Sequence, residues 1–536
     1  LIYAFLQRLI GESTGLVSTF QVVTIPIVLV IFICIFSLLI LVNGFRLLRL
    51  NPLQLTKDGL KGEKKGRFLV IQTFLGLGAM GYGYYLALSV KDPVMAIMSF
   101  FLAVLLVILG TYLLFNAGTT VVLQLLKKKK NYYYKPNNMI SISNLVFRMK
   151  KNAVGLATIA ILSSMVLVTL VGAASIYAGK KDYIASVAPH DYSVTGTNVD
   201  LTSTQKIMDD FLAQSGNQVN EKAEVTYLYF GIKEQEKNKL TIFPENERKV
   251  LPKSIFLVFS QATYKQLTGK DLNLASNQVG LYSKSKTLKD QKSLSFNGQT
   301  YQIQDDLNDF IKGKVPNIFT IIVSEYNYLV VPDMDDFKES VKGTATTQAT
   351  YVGVNVKDPT HDAKKNSDLL DQMTDKETQQ LAGQNTGVSQ SYLTANSQYD
   401  TEGMLNGFVG GTLFIGIFLS IIFMLGTVLV IYYKQISEGY EDRERFVILQ
   451  KIGLDDLQVK QTIRKQVLTV FFLPLIFAFI HLAFAYHMLS LIVRIIGVFN
   501  PSLMLVVTII VCGVFFLAYV LVFALTSRSY RRIVSM

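Results

Sequence analysis

Seven long apolar stretches without a single Asp, Glu, Lys or Arg constrain this chain more than any other feature. A helix needs about 20 mostly apolar residues to cross a bilayer, and each stretch is long enough. A soluble globular fold is excluded, because half of all residues are apolar and only 17% are charged. We predict an α-helical polytopic membrane protein. Its seven spans are residues 22–42, 68–90, 94–115, 153–178, 407–433, 467–486 and 503–525.

The net charge of +13 is distributed unevenly along the chain. Residues 180–402 contain 24 Lys and Arg against 29 Asp and Glu, so the basic excess lies beside the spans and does not indicate a nucleic-acid partner. Basic loops stay in the cytoplasm. The loops 43–67, 127–152 and 434–466 carry seven, eight and seven basic residues, whereas 91–93 and 488–502 carry one each. This alternation predicts an extracellular segment at residues 179–405 and a cytoplasmic C-terminus.

Three parts follow from this pattern. They are an N-terminal membrane block at 1–178 with four spans, an inserted extracellular α+β domain at 179–405, and a C-terminal membrane block at 406–536 with three spans. Within the inserted domain, alternating or clustered β-branched and aromatic residues predict strands at 225–232, 254–260, 319–324 and 349–356. Helices are predicted at 261–268 and 364–380.

The beginning and the cysteines of the chain support two further expectations. The charge alternation places Leu1 outside, and the sequence has neither an initiator Met nor a signal peptide. We therefore expect a missing N-terminal part with an odd number of spans. Cys34 and Cys512 both lie in predicted spans, where they serve as small apolar filler. A cysteine-free extracellular domain suits a bacterium with a single cell membrane.

Chemistry-bearing motifs are missing from the sequence. Only His481 and His487 could titrate near neutral pH in or beside the spans, and packing between helices explains both more simply. We find no G-x-x-x-x-G-K-[ST] phosphate loop, no H-E-x-x-H or G-x-S-x-G motif and no Cys/His cluster. We expect neither ATP binding, nor a metal site, nor catalysis in this chain.

Three other patterns allow two interpretations each. Lys127 to Lys130 with the following tyrosines could recruit anionic lipid or simply anchor the chain at the membrane surface. Glycine clusters at 76–83 and 407–416 favour close helix contact over a substrate path. The acidic run of Asp333, Asp335 and Asp336 could attract a cationic peptide or form a solvated loop.

The loop after the fifth span is the most informative segment. Residues 438–452 contain no Pro, and Gly453 stands where the residue after a helix end belongs. Asp455 can cap a second helix that begins at Asp456. The first helix combines apolar residues at helical spacing with a dense set of charges, which suits docking onto a partner; an elbow lying on lipid headgroups is the alternative. The predicted docking residues are Glu438, Glu441, Asp442, Arg443, Glu444, Arg445, Phe446, Leu449, Ile452 and Gly453.

The sequence GYEDRERFVILQKIG at 439–453, followed by KQTIRKQVLTVFFLPL at 460–475, resembles the FtsX-like ABC transporter permeases, and more narrowly the Bce-type permeases of bacitracin and lantibiotic resistance. The likeness extends over the whole chain, with weaker support from RLNPLQL at 49–55. It implies ten spans with both termini inside, three of them before Leu1. It also implies that 438–453 is a coupling helix that meets an ATPase subunit.

The resemblance further implies what the protein does. It would be a non-catalytic permease subunit without a cofactor of its own, with ATP and Mg bound by two partner ATP-binding subunits. The transporter would remove peptide antibiotics from the membrane or from their lipid-pyrophosphate targets. It would also relay a signal to a membrane sensor histidine kinase. A scaffold that activates an extracellular cell-wall hydrolase without moving a substrate is the alternative. The substrate-binding residues stay unassigned.

Overall fold

The structure is a computed structural model that describes residues 24–49, 66–134, 136–247, 252–283, 285–317, 323, 325–382, 390–451, 456–497 and 500–534. For part of the helical residues, among them 441–450, the description covers the backbone alone.

Each predicted span coincides for most of its length with a helix of the described residues. Those helices are α1 (Thr24–Arg49), α2 (Gly66–Ser89), α3 (Pro93–Leu113), α6 (Pro136–Val187), α12 (Gln398–Lys451), α13 (Asp456–Ile495) and α14 (Pro501–Val534). Between α3 and α6 the chain forms a π turn (Leu114–Gly118), α4 (Thr119–Lys128) and the short α5 (Lys130–Tyr133). The start of α13 at Asp456 confirms the second predicted helix of the basic loop.

Six segments of the described helices are long and apolar enough to cross a membrane, so the protein is a multi-pass membrane protein. Helix α2 has the predicted position but is not among the six, and the count of seven spans stays a prediction. The six segments are Ile25–Phe45, Pro93–Lys128, Asn152–Val187, Gln398–Ser437, Leu468–Ile495 and Pro501–Arg528.

The central helices of this membrane part share one apolar core. Helices α6, α12, α13 and α14 contribute buried side chains to it, including Leu167, Val409, Leu475 and Tyr519. Helices α2 and α3 pack closely against each other, because a Cβ at Gly76 would lie 3.0 Å from Leu113 Cβ and one at Gly83 only 2.9 Å from Val107 Cγ2. This confirms the packing role of two glycines in the first cluster.

Residues 192–397 form a sheet domain. Its strands are β1 (Tyr192–Thr197), β2 (Val219–Glu236), β3 (Lys239–Ile242), β4 (Ser254–Ser260), β5 (Gln278–Ser283), β6 (Ser293–Phe296), β7 (Gln299–Asp306), β8 (Tyr326–Val331), β9 (Thr346–Val356) and β10 (Tyr392–Ser397). Its helices are α7 (Leu201–Ser215), α8 (Gln261–Thr268), α9 (Lys286–Lys289), α10 (Met334–Ser340) and α11 (Ala363–Ala382).

Part of the sheet closes into a ring. The ten strands run in the order β10-β1-β9-β2-β3-β6-β7-β5-β8-β4. The last strand, β4, also pairs with β2, so the strands from β2 to β4 in this order form the ring. Residues of β2 alternate between two apolar clusters, with Leu228 and Phe230 in one and Val225 and Tyr227 in the other. The sheet therefore buries both of its faces along this strand.

Most predicted elements of this region are confirmed. Strand β4 and helix α8 have the predicted bounds, and β2, β9 and α11 contain the other predicted segments. The strand predicted at 319–324 lies largely outside the described residues. Its one described member, Val323, is not in a strand, and the strand of this region begins later, at Tyr326.

The sheet domain joins the membrane helices through two adjacent strands. Four residues separate the end of α6 from the start of β1, and α12 begins directly after β10. Strands β1 and β10 pair antiparallel with Tyr192 opposite Ser397. The incoming and outgoing chains therefore meet at one place, where Gln398 N donates to Asp191 O at 2.9 Å and Asn396 Nδ2 donates to Val187 O at 3.1 Å.

Candidate coupling path

The predicted docking segment is the far end of α12, not a separate helix. The helix has 54 residues, contains no Pro and runs unbroken from the sheet domain to Lys451. We predicted a helix starting at Glu438, and that start is wrong because residues 434–437 contain no helix breaker. At about 1.5 Å per residue, α12 is about 80 Å long.

The predicted docking residues are only partly described. Glu438 and residues 441–449 are helical, while Ile452 and Gly453 lie outside the described residues, as do the side chains of the others. The two residues that follow Glu438 are described in full: Gly439 is buried, and Tyr440 has 61% of its surface exposed. The backbone of the segment therefore continues the axis of the span.

Helix α12 packs antiparallel against α6 along nearly the whole span. At the sheet-domain end Lys180 Nζ donates to Asn406 Oδ1. Gly416 then lies so close to Ala173 that no Cβ would fit between them. At the opposite end Lys434 Nζ donates to Asn152 O at 2.8 Å. The two helices are thus held together at both ends and in the middle.

The first turn of α12 is fixed to the sheet domain by hydroxyl groups. Asp400 N donates to Ser397 Oγ at 3.0 Å, which is the N-cap bond of the helix, and Ser397 Oγ donates to Asp400 Oδ2 at 2.8 Å. Ser367 of α11 also donates to Asp400 Oδ2. Because both serines are buried, the carboxylate ties α12 to two elements of the sheet domain.

The sheet domain also lies close to the end of α13. Arg494, in the last turn of that helix, is half-buried and lies beside Tyr326 of β8. Burial raises the pKa of the Tyr326 phenol, the Asp309 carboxylate raises it further, and the Arg494 guanidinium opposes the shift. A cavity of about 270 Å³ opens here between Asp182 of α6, Asp309 and the α14 start at Pro501.

The turn after α13 is fitted closely to α6. Gly497 has a φ of +99°, a left-handed conformation that favours glycine, and a Cβ there would overlap the Tyr183 ring. Nearby, Asn317 N donates to Ser186 O at 2.8 Å, and Asn317 Nδ2 donates to Tyr328 OH at 2.9 Å. The sheet domain therefore contacts the ends of two membrane helices besides α12.

Sequence reasoning missed three of these residues. Arg494 was placed in a loop because the sixth span was predicted to end at residue 486, whereas α13 continues to Ile495. Lys434 and the buried Gln435 were placed in a loop because the fifth span was predicted to end at residue 433, whereas α12 continues to Lys451. A continued helical pattern beyond the uncharged stretch is the signal that could have located them.

The other candidate residues have structural explanations. His481 is buried, with its Nδ1 2.6 Å from Tyr84 OH and its Nε2 3.1 Å from Thr111 Oγ1. His487 Nε2 lies 2.9 Å from Val90 O. Both histidines join α13 to its neighbours. Asp333 caps α10 by accepting from the backbone N–H of Asp335 and Asp336. Among the described residues no group of His, Cys, Asp and Glu could hold a metal ion.

Comparisons with known proteins identify relatives of the chain. No protein-family model matches it. It is 24% identical over 431 residues to the ABC transporter permease protein YxdM of Bacillus subtilis, with 78% of this chain and 62% of that protein covered. It is 22% identical to the bacitracin export permease protein BceB of the same organism, with 85% of this chain and 69% of the relative covered. It is also 22% identical to the bacitracin export permease protein BceB of Halalkalibacterium halodurans, with 90% of this chain and 72% of that protein covered.

The chain spans about three fifths of the length of YxdM. Among solved structures, it matches a putative lipoprotein from Bacillus anthracis at 9% identity with a TM-score of 0.20, covering 33% of this chain and 92% of that one. Such a score does not establish a shared fold. The curated relatives cover most of the chain, which is therefore similar to ABC transporter permeases, among them proteins named as bacitracin export permeases.

Proposed function

We propose that this chain is the permease subunit of a Bce-type transporter, in which ATP-binding partner subunits act on residues 438–453 and α12 carries their movement to the sheet domain. The observation that supports this most directly is the unbroken course of α12 from the predicted docking segment to Gln398. A continuous helix resists compression and bending, so a displacement at one end moves the other. The partner subunits would bind and hydrolyse ATP with Mg, and this chain would not catalyse a reaction.

The sheet domain would lie outside the cell and the docking segment inside. The charge distribution supports this orientation, because the segments predicted to face the cytoplasm hold the basic excess. The curated relatives named as bacitracin export permeases suggest the substrate class. The transporter would clear bacitracin or lantibiotics from the membrane or from their lipid-pyrophosphate targets, and would report its activity to a sensor histidine kinase.

Charge reversal of the docking segment tests the coupling. We expect the double variant Arg443→Glu, Arg445→Glu to lose its ATP-binding subunits during purification of the membrane complex, because both guanidinium groups belong to the predicted interface. Arg528→Glu, an exposed arginine near the end of α14, is the matched control and should retain the subunits. If no ATP-binding subunit accompanies even the unaltered permease, the proposal is wrong.

A mechanical scaffold is the second candidate function. The same continuous helix and its fixed first turn would equally transmit force to a cell-wall hydrolase outside, with nothing transported. A deletion strain distinguishes the two functions. Sensitivity to a panel of bacitracin, nisin and related peptides with normal cell separation supports clearance of antibiotics, whereas chained cells with unchanged sensitivity support the scaffold.

A further inference from the structure

A lateral cavity of about 410 Å³ lies among the membrane helices α2, α4, α6 and α13 and the π turn. One water needs only about 10–15 Å³ on the same measure. Its lining is apolar and includes Leu77, Leu114, Gly118, Val122, Leu473 and Phe477. The hydroxyls of Thr73 and Thr119, which also line it, donate to backbone oxygens of their own helices, Leu69 O at 2.8 Å and Phe115 O at 2.7 Å.

The π turn shapes one wall of this cavity. Leu114 and Gly118 are the first and last residues of the turn, and both line the cavity. A Cβ at Gly118 would lie 3.0 Å from Leu114 Cδ2 and 3.5 Å from Thr73 Cγ2, so a larger side chain there would reduce the space. Such turns are rare inside helices and recur at functional sites.

The rim of the cavity faces the surroundings of the helix bundle. Val122 is 55% exposed and Leu77 is 49% exposed. Both are apolar residues of membrane helices, so their exposed surfaces suit contact with lipid. An apolar cavity of this kind does not retain water, because it offers water no hydrogen-bond partners. A hydrocarbon chain from the bilayer therefore suits it better than a polar solute.

A cluster of lysines follows the cavity along α4. Helix α4 continues from Val122 to Lys127 and Lys128 in its last turn, about 8 Å further along the axis. Lys129 and Lys130 follow, and all four lysines are exposed. Among the described residues, no carboxylate lies within ion-pairing distance of these lysines. The sequence itself has no Asp or Glu between Asp92 and Asp182, so the local positive charge is not balanced within this stretch.

We propose that this cavity binds one acyl chain of an anionic phospholipid whose phosphate group is held by Lys127 and Lys128. The apolar lining accounts for the chain, and the unbalanced lysines one to two turns away account for the negative headgroup. Free phosphate would make no use of the cavity, and a neutral lipid would make no use of the lysines. The inference concerns lipid binding alone and does not depend on the proposed transport function.

Binding of defined lipids to the purified full-length permease tests this site. After delipidation, the protein is titrated with dioleoyl-phosphatidylglycerol and separately with dioleoyl-phosphatidylcholine, and bound lipids are counted by native mass spectrometry. We expect a retained phosphatidylglycerol with at least tenfold preference over phosphatidylcholine. Val122→Phe, which fills the rim, should abolish the retained lipid, whereas Leu125→Phe should not, because Leu125 is equally exposed on the same helix but does not line the cavity.

The headgroup is tested separately. Lys127→Gln with Lys128→Gln should reduce phosphatidylglycerol affinity by roughly 5- to 30-fold while leaving phosphatidylcholine binding unchanged, since each lysine near a membrane surface contributes a factor of about five. Lys181→Gln is the matched control, because Lys181 is an exposed lysine near the C-terminal end of α6 and does not line the cavity. Equal binding of the two lipids, or equal retention of lipid in the two phenylalanine variants, would each overturn the proposal.

Discussion

His190 is a buried imidazole at the point where the membrane helix α6 passes into the sheet domain. It is 3% exposed, and its Nδ1 lies 2.7 Å from Tyr351 OH. Burial lowers the pKa of His190, although Glu221 and Asp191 oppose the shift. The unfolded chain therefore takes up a proton at a higher pH than the folded chain does.

This gives the first prediction a definite sign. Stability contributed by neutral His190 is fully present above the unfolded pKa of about 6.5 and is lost as the pH falls towards the lower folded pKa. The loss is about 1.4 kcal/mol for each unit between the two values. Thermal unfolding between pH 5 and 8 should show a decline on the acid side that His190→Gln reduces. The exposed His361 is the control, and an equal effect of His361→Gln would contradict the assignment.

Gln435 carries a second prediction at the scale of single residues. It is 5% exposed, and among the described residues neither Nε2 nor Oε1 of its amide has a hydrogen-bond partner. An unsatisfied buried amide costs about 1–3 kcal/mol. Gln435→Met keeps the length of the side chain without the polar atoms, so the melting temperature in detergent should rise by a few degrees. The exposed Gln379→Met should leave it unchanged; a lower melting temperature for Gln435→Met would mean that the amide is satisfied by another group.

Among the elements, the packed pair α6 and α12 determines whether the coupling path is rigid. Gly416→Ala should destabilise the protein by about 1–3 kcal/mol, because the added methyl group would overlap Ala173. Gly411→Ala on the same helix is the matched control, since a Cβ there meets nothing within 4 Å and alanine favours a helix by up to about 1 kcal/mol. Unfolding in detergent measures both. Equal melting temperatures would show that the two helices separate readily at Gly416.

The same scale shows what the sequence could and could not predict. Strand β4 and helix α8 were predicted with their bounds, because an apolar run ends at Ser260 and a helix cap begins there, which are both local signals. The second pairing of β2 with β4, which closes the strand ring, depends on contacts distant in sequence. The uninterrupted length of α12 was missed because charge was taken as the end of a span, whereas helical propensity continues through charged residues.

At the scale of the whole molecule, three attachments join the sheet domain to the membrane helices. Helix α6 enters it, α12 leaves it, and Arg494 of α13 lies near Tyr326 of β8 and interacts with it electrostatically. The sequence could predict the first two, since span and domain boundaries follow composition. It could not predict the third, because nothing near Arg494 in the sequence indicates which strand it meets.

The arrangement of these parts across the membrane leads to the last prediction. The chain contains two cysteines, Cys34 and Cys512, and a variant without them can carry a single new cysteine at a chosen place. Lys376→Cys lies exposed on α11 of the sheet domain, and Tyr440→Cys lies exposed within the docking segment. If α12 crosses the bilayer between them, a membrane-impermeant maleimide added to intact cells should label the first position and not the second.

Permeabilised cells provide the control for this experiment, because both cysteines should then react to the same extent. Labelling of Tyr440→Cys in intact cells would place the docking segment on the same side as the sheet domain. An ATP-binding subunit in the cytoplasm could then not reach it, and the span at Gln398–Ser437 would not separate the two ends of the helix. Since force can pass from an inner partner to an outer domain only along an element that crosses the bilayer, that result would remove the physical basis for coupling through α12.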